Sequence, residues 1–218
     1  MEKKYKLTEE TINVKGITLY RIEALKDFND VKKGDKGGWV ESENNLSQED
    51  NCWVYDNAKV CGNARVYDNA TISGNAVVSD RAVVFDNVKV FGNAQICGDA
   101  IVCEDAQIYG NVWVFDNAQI FGNAEVCGNA EVVNNADYIV FKNWWSSGRY
   151  FTWTKSNNMW RVGCFYGTGK QLIAKAYKDS ELSGREYERI VRYVEAINTP
   201  IKKLNRIQKI VCKLFNIK

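Results

Sequence analysis

The densest group of side chains able to bind a ligand lies between residues 144 and 170. It includes most of the aromatic residues of this segment and its four cations: Trp144, Trp145, Tyr150, Trp153, Trp160, Phe165, Tyr166, Arg149, Lys155, Arg161 and Lys170. Aromatic faces can stack a base and cations can hold a phosphate, so this composition favours a nucleotide-like anion. Small domains also bury tryptophans simply as core, and that alternative stays open.

Strand alternation narrows this group to a candidate site. Arg149 and Trp153 are four residues apart and share one face of a strand, as Trp160 and Tyr166 do on the next. Arg161 should point to the opposite face unless a bulge intervenes. The predicted ligand site consists of Arg149, Lys170, Trp153, Trp160, Tyr166 and Arg161, with Arg149 and Lys170 as its principal cations.

The segment Gly163–Lys170 has some of the character of a phosphate loop. Its spacing fails the P-loop pattern, because Cys164 stands where a glycine is needed and Gln171 replaces the required serine or threonine. A glycine-containing loop that leads into a helix N-terminus beside Lys170 still suits an anion. A simple turn and helix cap is the alternative.

The chain contains no histidine. This removes the commonest general base at neutral pH and the commonest metal ligand. Aspartate and glutamate fall mostly at turn positions of the repeat described next, where local backbone hydrogen bonding accounts for them. We therefore predict a protein that is not an enzyme, with no catalytic residues, no metal site and no cofactor.

Residues 53–136 consist of fourteen consecutive hexapeptides, such as WVYDNA, KVCGNA and QIFGNA. The second position is valine or isoleucine in all fourteen, the fifth is asparagine in eleven and the sixth is alanine in twelve. Alanine and the β-branched residue should face inward, and the Gly/Asp-Asn pair should turn the chain. Three strands and three turns make a triangular coil, in which stacked asparagines can form ladders.

These hexapeptides resemble the hexapeptide-repeat, left-handed parallel β-helix family. The Val-x-Gly-Asn-Ala form is similar to bacterial and prophage-encoded proteins labelled acetyltransferase-like or polymer-forming. The segments Leu19–Ile22, Gly37–Ser42 and Trp144–Phe151 resemble the same group. The resemblance implies the left-handed sense. It also implies a homotrimer, since that is the commonest assembly in the family, and an acyltransferase chemistry that depends on a histidine this chain lacks.

The flanking segments predict caps and a second domain. A hairpin around Lys15-Gly16 should cap the N-terminal end, and Val40, Leu46 and Cys52 continue the inward register of the alanines. Beyond the repeat we predict a strand at 138–141, a hairpin of strands 149–154 and 159–165, and two helices. Thr168 should cap the first, at 169–179, and Ser183 the second, which should end near Asn198.

The predicted architecture is mainly β with four parts. Residues 1–52 form an N-terminal β cap and leading coil, 53–136 the β-helix, 137–200 an α+β domain, and 201–218 a basic amphipathic helix. The last segment carries six basic and no acidic residues. It should pack on its own domain or a sister subunit, with contact to nucleic acid or a membrane surface as the alternative.

The sequence as a whole favours a cytoplasmic binding or scaffold protein. No run of about 18 apolar residues is present, and no leader-like segment opens the chain. Outward Val83 and Ile101, together with columns of aromatic residues, predict burial in a homo-oligomer. The ligand would be an anionic nucleotide-like molecule, including an immune signalling nucleotide if the protein is prophage-encoded, or a protein partner. The alternatives are an atypical acyl or nucleotidyl transferase and a purely structural assembly protein.

Overall fold

The fourteen hexapeptides form a parallel β-solenoid of about five turns in the computed structural model. The structure describes residues 3–143 and 148–199. Trp144, Trp145 and the predicted helix at 201–218 lie outside the described residues. The mainly β architecture is confirmed, and the left-handed sense stays a prediction.

Each hexapeptide contributes one two-residue strand. The strands are β4 Trp53–Val54, β5 Lys59–Val60, β6 Arg65–Val66, β7 Thr71–Ile72, β8 Val77–Val78, β9 Val83–Val84, β10 Lys89–Val90, β11 Gln95–Ile96, β12 Ile101–Val102, β13 Gln107–Ile108, β14 Trp113–Val114, β15 Gln119–Ile120, β16 Glu125–Val126 and β17 Glu131–Val132. Every third strand pairs in parallel at an offset of 18 residues, as Lys59 does with Val77 and Val77 with Gln95. This register builds three flat faces.

The interior is filled by the two predicted inward positions. Valine or isoleucine at the second position is buried throughout the solenoid, and alanine or valine at the sixth is buried from Ala58 to Ala130, leaving only the final Ala136 exposed. Because a short side chain alternates with a β-branched one, the narrow triangular section is filled without overpacking. The apolar periodicity of the sequence therefore sets the width of the coil.

The corners use the predicted Gly/Asp-Asn turn. The fourth position has positive φ whether it is an aspartate, as at Asp56 (52°), or a glycine, as at Gly98 (69°). The asparagine that follows is bonded to the next coil, in a ladder whose Nδ2 to Oδ1 distances are 3.0–3.2 Å from Asn75 through Asn93 and Asn111 to Asn129. The predicted ladder is confirmed.

The N-terminal cap is a curled hairpin. Strands β1 Tyr5–Val14 and β2 Ile17–Ala24 are antiparallel around Lys15-Gly16, and β3 Lys36–Val40 joins β2 to β5 of the solenoid. Val40 and Leu46 are buried as predicted, but they pair with Val60 and Val66 at an offset of 20 residues.

That offset corrects the expected register of the leading coil. Val40 and Leu46 occupy the valine position of the repeat, not the alanine position, because the coil contains two additional residues before Cys52. The Lys4 ammonium fills the widened corner, where it donates to the carbonyl oxygens of Glu49 at 2.9 Å and Cys52 at 3.0 Å.

A second sheet and two helices follow the solenoid. The sheet has the order β18 Tyr138–Lys142, β19 Tyr150–Thr154, β20 Met159–Val162 and β21 Phe165–Gly167. The single strand predicted at 159–165 is wrong, because Gly163 (φ 54°) turns the chain between β20 and β21.

The two helices are α1 Gly169–Asp179 and α2 Glu181–Asn198. Thr168 caps α1 as predicted. The predicted cap at Ser183 is wrong, since Ser180 caps α2 and its hydroxyl accepts a hydrogen bond from the Ser183 amide at 3.0 Å. The chain divides into two compact units, Met1–Tyr166 and Gly167–Lys218, so the second sheet groups with the solenoid.

Candidate functional site

Trp153 and Trp160 of the predicted site form a cross-strand pair between β19 and β20. Their exposed fractions are 4% and 1%, and the Trp153 indole donates to Asn158 Oδ1 at 2.9 Å. Both lie on the same apolar face of the sheet as Phe151 and Val162, which are also buried. The two indoles therefore belong to a core, which is the alternative left open above, and neither offers a free ring face to a ligand.

Arg161 lies on the opposite face of β20, as the alternation predicts. Its Nε donates to Glu125 Oε2 at 2.8 Å, and its guanidinium lies 5.7 Å from the centre of the Tyr109 ring. Thr152, its partner on β19, accepts a hydrogen bond from the Glu125 amide at 2.9 Å. These contacts give the Glu125 amide, at the open edge of the last strands of the solenoid, a hydrogen-bond partner. They also pair the Arg161 guanidinium with the Glu125 carboxylate.

A half-buried cluster surrounds this ion pair. The Tyr109 hydroxyl is buried beside the Cys127 thiol and has no hydrogen-bond partner within standard distance among residues 3–143 and 148–199. Burial raises the pKa of both Tyr109 and Cys127. Both groups therefore stay protonated at neutral pH, and the Cys127 thiol is not an activated nucleophile.

Arg149 and Tyr166 are the accessible members of the predicted site within the first unit. Arg149 is exposed, and its side chain lies over Gly163. Tyr166 is 40% exposed, accepts a hydrogen bond from Asn157 Nδ2 at 3.3 Å and places its hydroxyl against Gly128. A side chain at position 128 would overlap that hydroxyl, so the glycine makes room for Tyr166.

Lys170 lies in the second unit, in the first turn of α1, and is exposed. The Thr168 hydroxyl accepts a hydrogen bond from the Gln171 amide at 3.4 Å, and Gln171 Oε1 accepts one from the Thr168 amide at 2.9 Å. The helix start is therefore capped by its own side chains. That Lys170 joins Arg149 around one anion stays a prediction.

The contact between the second sheet and the last coils was missed by sequence reasoning. Its signal was present at the first position of the repeat, which is acidic in the last two hexapeptides alone, at Glu125 and Glu131. The amide of Glu131 donates to Ser156 Oγ at 2.8 Å, as that of Glu125 does to Thr152. An acidic outward residue marks where the ladder ends and the cap begins.

The described residues 3–143 and 148–199 lack two features that would bear on function. No group of three or more cysteine, aspartate or glutamate side chains is placed to hold a metal ion. No helix in this part of the chain is long and apolar enough to cross a membrane.

Geometry and sequence together fit the hexapeptide-repeat β-helix class of proteins. Residues 58–74, 64–80 and 106–120 match the repeat described as YdcK Beta solenoid repeat. The chain is 42% identical over 60 residues to a protein of Escherichia coli strain K12 named "Uncharacterized acetyltransferase YdcK". That match covers 24% of this chain and 18% of the length of that relative.

Proposed function

We propose that the chain is a non-catalytic binding and scaffold protein that captures an anionic, nucleotide-like ligand or a protein partner. The observation that carries this proposal is the lack of any histidine in a fold whose acyltransferases depend on one. The solenoid supplies a rigid support, and the exposed cations beyond it supply the ligand contacts.

Neither thiols nor carboxylates of the solenoid are obvious substitutes for that base. Burial raises the pKa of Cys61, Cys97 and Cys103, so these thiols stay protonated. Carboxylates at the corners accept backbone hydrogen bonds from the next coil, as Asp56 does from Gly74 at 3.0 Å and Asp86 from Glu104 at 3.0 Å. These groups serve the repeat itself.

We propose that Arg149 and Tyr166 of the first unit take part in anion capture and, separately, that Lys170 of the second unit does. Calorimetry with a panel of mononucleotides, dinucleotides and cyclic nucleotides tests it. Arg149→Ala and Lys170→Ala should each cost about 1.5–3 kcal/mol, roughly 10- to 150-fold in affinity. Lys175→Ala, an exposed lysine on α1, is the matched control. Unchanged affinity in both variants would contradict this assignment.

The enzymatic alternative takes its support from the name of the relative, an acetyltransferase. The intact protein is incubated with acetyl-coenzyme A or a nucleoside triphosphate and an acceptor panel, and products are followed by mass spectrometry. Our proposal expects binding without product. Sustained product formation would replace it with a transferase, whereas the absence of both binding and product would favour a purely structural assembly protein.

Assembly is proposed through the face built by β6, β9, β12 and β15. Val83 and Ile101 point outward there, Tyr67 and Phe85 stack at 5.0 Å, and Phe121 is 49% exposed. A contiguous apolar face of this kind favours burial between copies, and a trimer is the arrangement we propose.

Light scattering at micromolar concentration tests the assembly. Ile101→Glu should shift the mass toward the monomer, because it places a charge in the interface. Gln107→Glu adds the same charge on another face and should leave the mass unchanged. A monomeric parent protein would overturn the proposed trimer.

A further inference from the structure

The N-terminal hairpin overhangs the solenoid and encloses a cleft of about 410 Å³. The β2–β3 pairing stops at Tyr20 and Val40, so residues 14–19 extend past the end of β3. Val14, Lys15, Ile17 and Leu19 of this segment line the cleft together with residues of β5, β8 and β11. Pockets of several hundred cubic ångströms with apolar walls and a few polar groups are typical small-molecule sites. We call this the hairpin cleft.

The walls of the hairpin cleft are mainly apolar. Ile17 and Leu19 line it from the hairpin, and Val77 lines it from the solenoid. Ile17 is 38% exposed and Leu19 only 1%, so Ile17 carries the accessible apolar surface of these two hairpin residues. A hydrocarbon group bound there would remove that surface from water, which is favourable in proportion to the area covered.

Two lysines give the hairpin cleft its charge. Lys15 and Lys59 both line it, and neither forms an ion pair with a carboxylate of the described residues 3–143 and 148–199. Lys59 Nζ donates only to the carbonyl oxygen of Asn57, at 3.0 Å. Some other lysines of the cap are paired, as Lys3 is with Glu43 and Lys6 with Glu23, whereas Lys26 and Lys33 have no ion pair with a described carboxylate.

The carboxylates near the hairpin cleft are engaged with backbone amides. Asp80 lines the cleft and accepts a hydrogen bond from the Gly98 amide at 3.1 Å, and Glu41 accepts one from the Gly62 amide at 2.6 Å. Their presence disfavours a multiply charged phosphate. A ligand with a single negative charge can use the lysines without strong repulsion.

The backbone at Lys15 is a second, independent observation. Its φ is 51°, in the left-handed region, and every other non-glycine residue with positive φ in the described chain is asparagine, aspartate or glutamate. Asn-Gly is the favoured pair for a two-residue hairpin turn, so lysine here costs stability. A cation held at that cost, over an open cleft, indicates a role beyond the turn.

We propose that the hairpin cleft binds a small monocarboxylate with a hydrocarbon body, its carboxylate near Lys15 and Lys59 and its chain against Ile17, Leu19 and Val77. Binding is non-covalent, because the nearby Cys61 thiol is buried enough to stay protonated. This site is separate from the proposed nucleotide site and stands or falls independently of it.

The test titrates the full chain with octanoate, octan-1-ol and octylammonium, and follows amide shifts by NMR and affinity by calorimetry. Octanoate should bind most tightly, and shifts should cluster on residues 14–19 and on β5, β8 and β11. Lys59→Ala and Lys15→Asn should each weaken octanoate binding about tenfold. Lys15→Asn should at the same time raise thermal stability, since asparagine suits the turn.

Matched variants separate the hairpin cleft from a general surface effect. Val77→Trp should fill the cleft and abolish octanoate binding, and the fold accepts tryptophan at this outward position, as Trp113 shows on the same face. Thr71→Trp and Lys89→Ala make equivalent changes on another face, that of β7 and β10, and should leave binding unchanged. The absence of octanoate binding, stronger octylammonium binding, or equal binding by Val77→Trp would overturn the proposal. A further contrary outcome is that octanoate has no effect while Val77→Trp changes the molecular mass measured by light scattering. The cleft would then be a contact between copies of the chain.

Discussion

Arg161 of the second sheet lies 2.8 Å from Glu125 of the last complete turn, measured from Nε to Oε2. Both side chains are about a quarter exposed, at 25% and 27%, so water screens the pair only in part. The pair joins a sheet built from separate sequence to a repeat that would otherwise end in open strand edges. Solenoids need such an end, because an unpaired edge invites aggregation.

This ion pair should contribute measurably to stability. Arg161→Ala and Glu125→Ala should each lower the free energy of unfolding by about 1–2 kcal/mol, because each leaves a partly desolvated charge without its partner. The double variant should cost less than the sum, measured by urea denaturation. Arg189→Ala removes an exposed pair with Glu186 within α2 and should cost less than about 0.5 kcal/mol. Strict additivity of the first two changes would contradict coupling.

The spacing between neighbouring coils should be sensitive to an alanine substitution at Gly98. Gly98 and Gly122 share a φ of 69° and the same place in the repeat, but a Cβ at Gly98 would lie 2.7 Å from the Asp116 amide nitrogen. The nearest atom at Gly122 is Glu104 Oε2 at 3.9 Å. Both alanine variants bear the same cost of about 1 kcal/mol for the left-handed backbone.

Gly98→Ala should therefore lose more thermal stability than Gly122→Ala, by at least about 1 kcal/mol for the displaced coil. Thermal unfolding followed by circular dichroism measures the difference. Equal losses at the two positions would show that the coils separate freely at this corner.

The asparagine ladder should stabilise the solenoid most through its middle members, which have a hydrogen bond on each side. Asn111 Oδ1 accepts from Asn93 and its Nδ2 donates to Asn129, both at 3.0 Å, so Asn111→Ala removes two hydrogen bonds. We expect a loss of about 1–2 kcal/mol in chemical denaturation. Asn63→Ala, at the same repeat position with no side-chain hydrogen bond to the described residues, should cost about 0.5 kcal/mol or less. A loss at Asn63 as large as at Asn111 would argue against the ladder.

Stability should decline at alkaline pH through Tyr5. Its buried hydroxyl donates to the Leu46 carbonyl oxygen at 2.7 Å, and burial raises its pKa above the ordinary value of about 10. Between these two values the unfolded chain has lost a proton that the folded chain keeps. The contribution of Tyr5 to the free energy of unfolding is therefore fully present below about pH 10 and decreases as the pH rises further.

Tyr5→Phe should lower the stability at neutral pH but flatten that alkaline decline. Urea denaturation at a series of pH values, with tyrosinate absorbance of the folded protein, measures both effects. The same slope in the variant and the parent protein would exclude Tyr5 as a source of the alkaline loss.

The repeat could be predicted because every determinant is local. The second and sixth positions of each hexapeptide face inward through strand alternation alone, and the corner residues tolerate positive φ by their chemistry. The cap of α1 at Thr168 was likewise predictable from four residues. Prediction was wrong where local signals competed: Ser180 caps α2 although Ser183 and Glu186 offer a similar pattern, and Gly163 breaks a run of strand-forming residues.

The candidate site was less predictable because burial is not a local property. A sequence that places Trp153 and Trp160 near cations is compatible with a core and with a binding site. Only the solvent exposure of the two indoles distinguishes these possibilities. Arg161 was expected on the opposite face, but sequence could not supply Glu125, 36 residues earlier, as its partner.

The sequence by itself determined a triangular β-solenoid, since the hexapeptide period and the residue types at each position suffice for it. The lack of histidine is likewise a property of the sequence alone. Tertiary structure alone decided which lysines of the hairpin cleft stay free of ion pairs, where the hairpin overhangs β5, β8 and β11, and that Arg161 pairs with Glu125. The physical reason is that charge pairing and concavity arise from segments far apart in the chain. Lys15 and Lys59 line one cleft only because a two-residue turn brings the hairpin back over the solenoid.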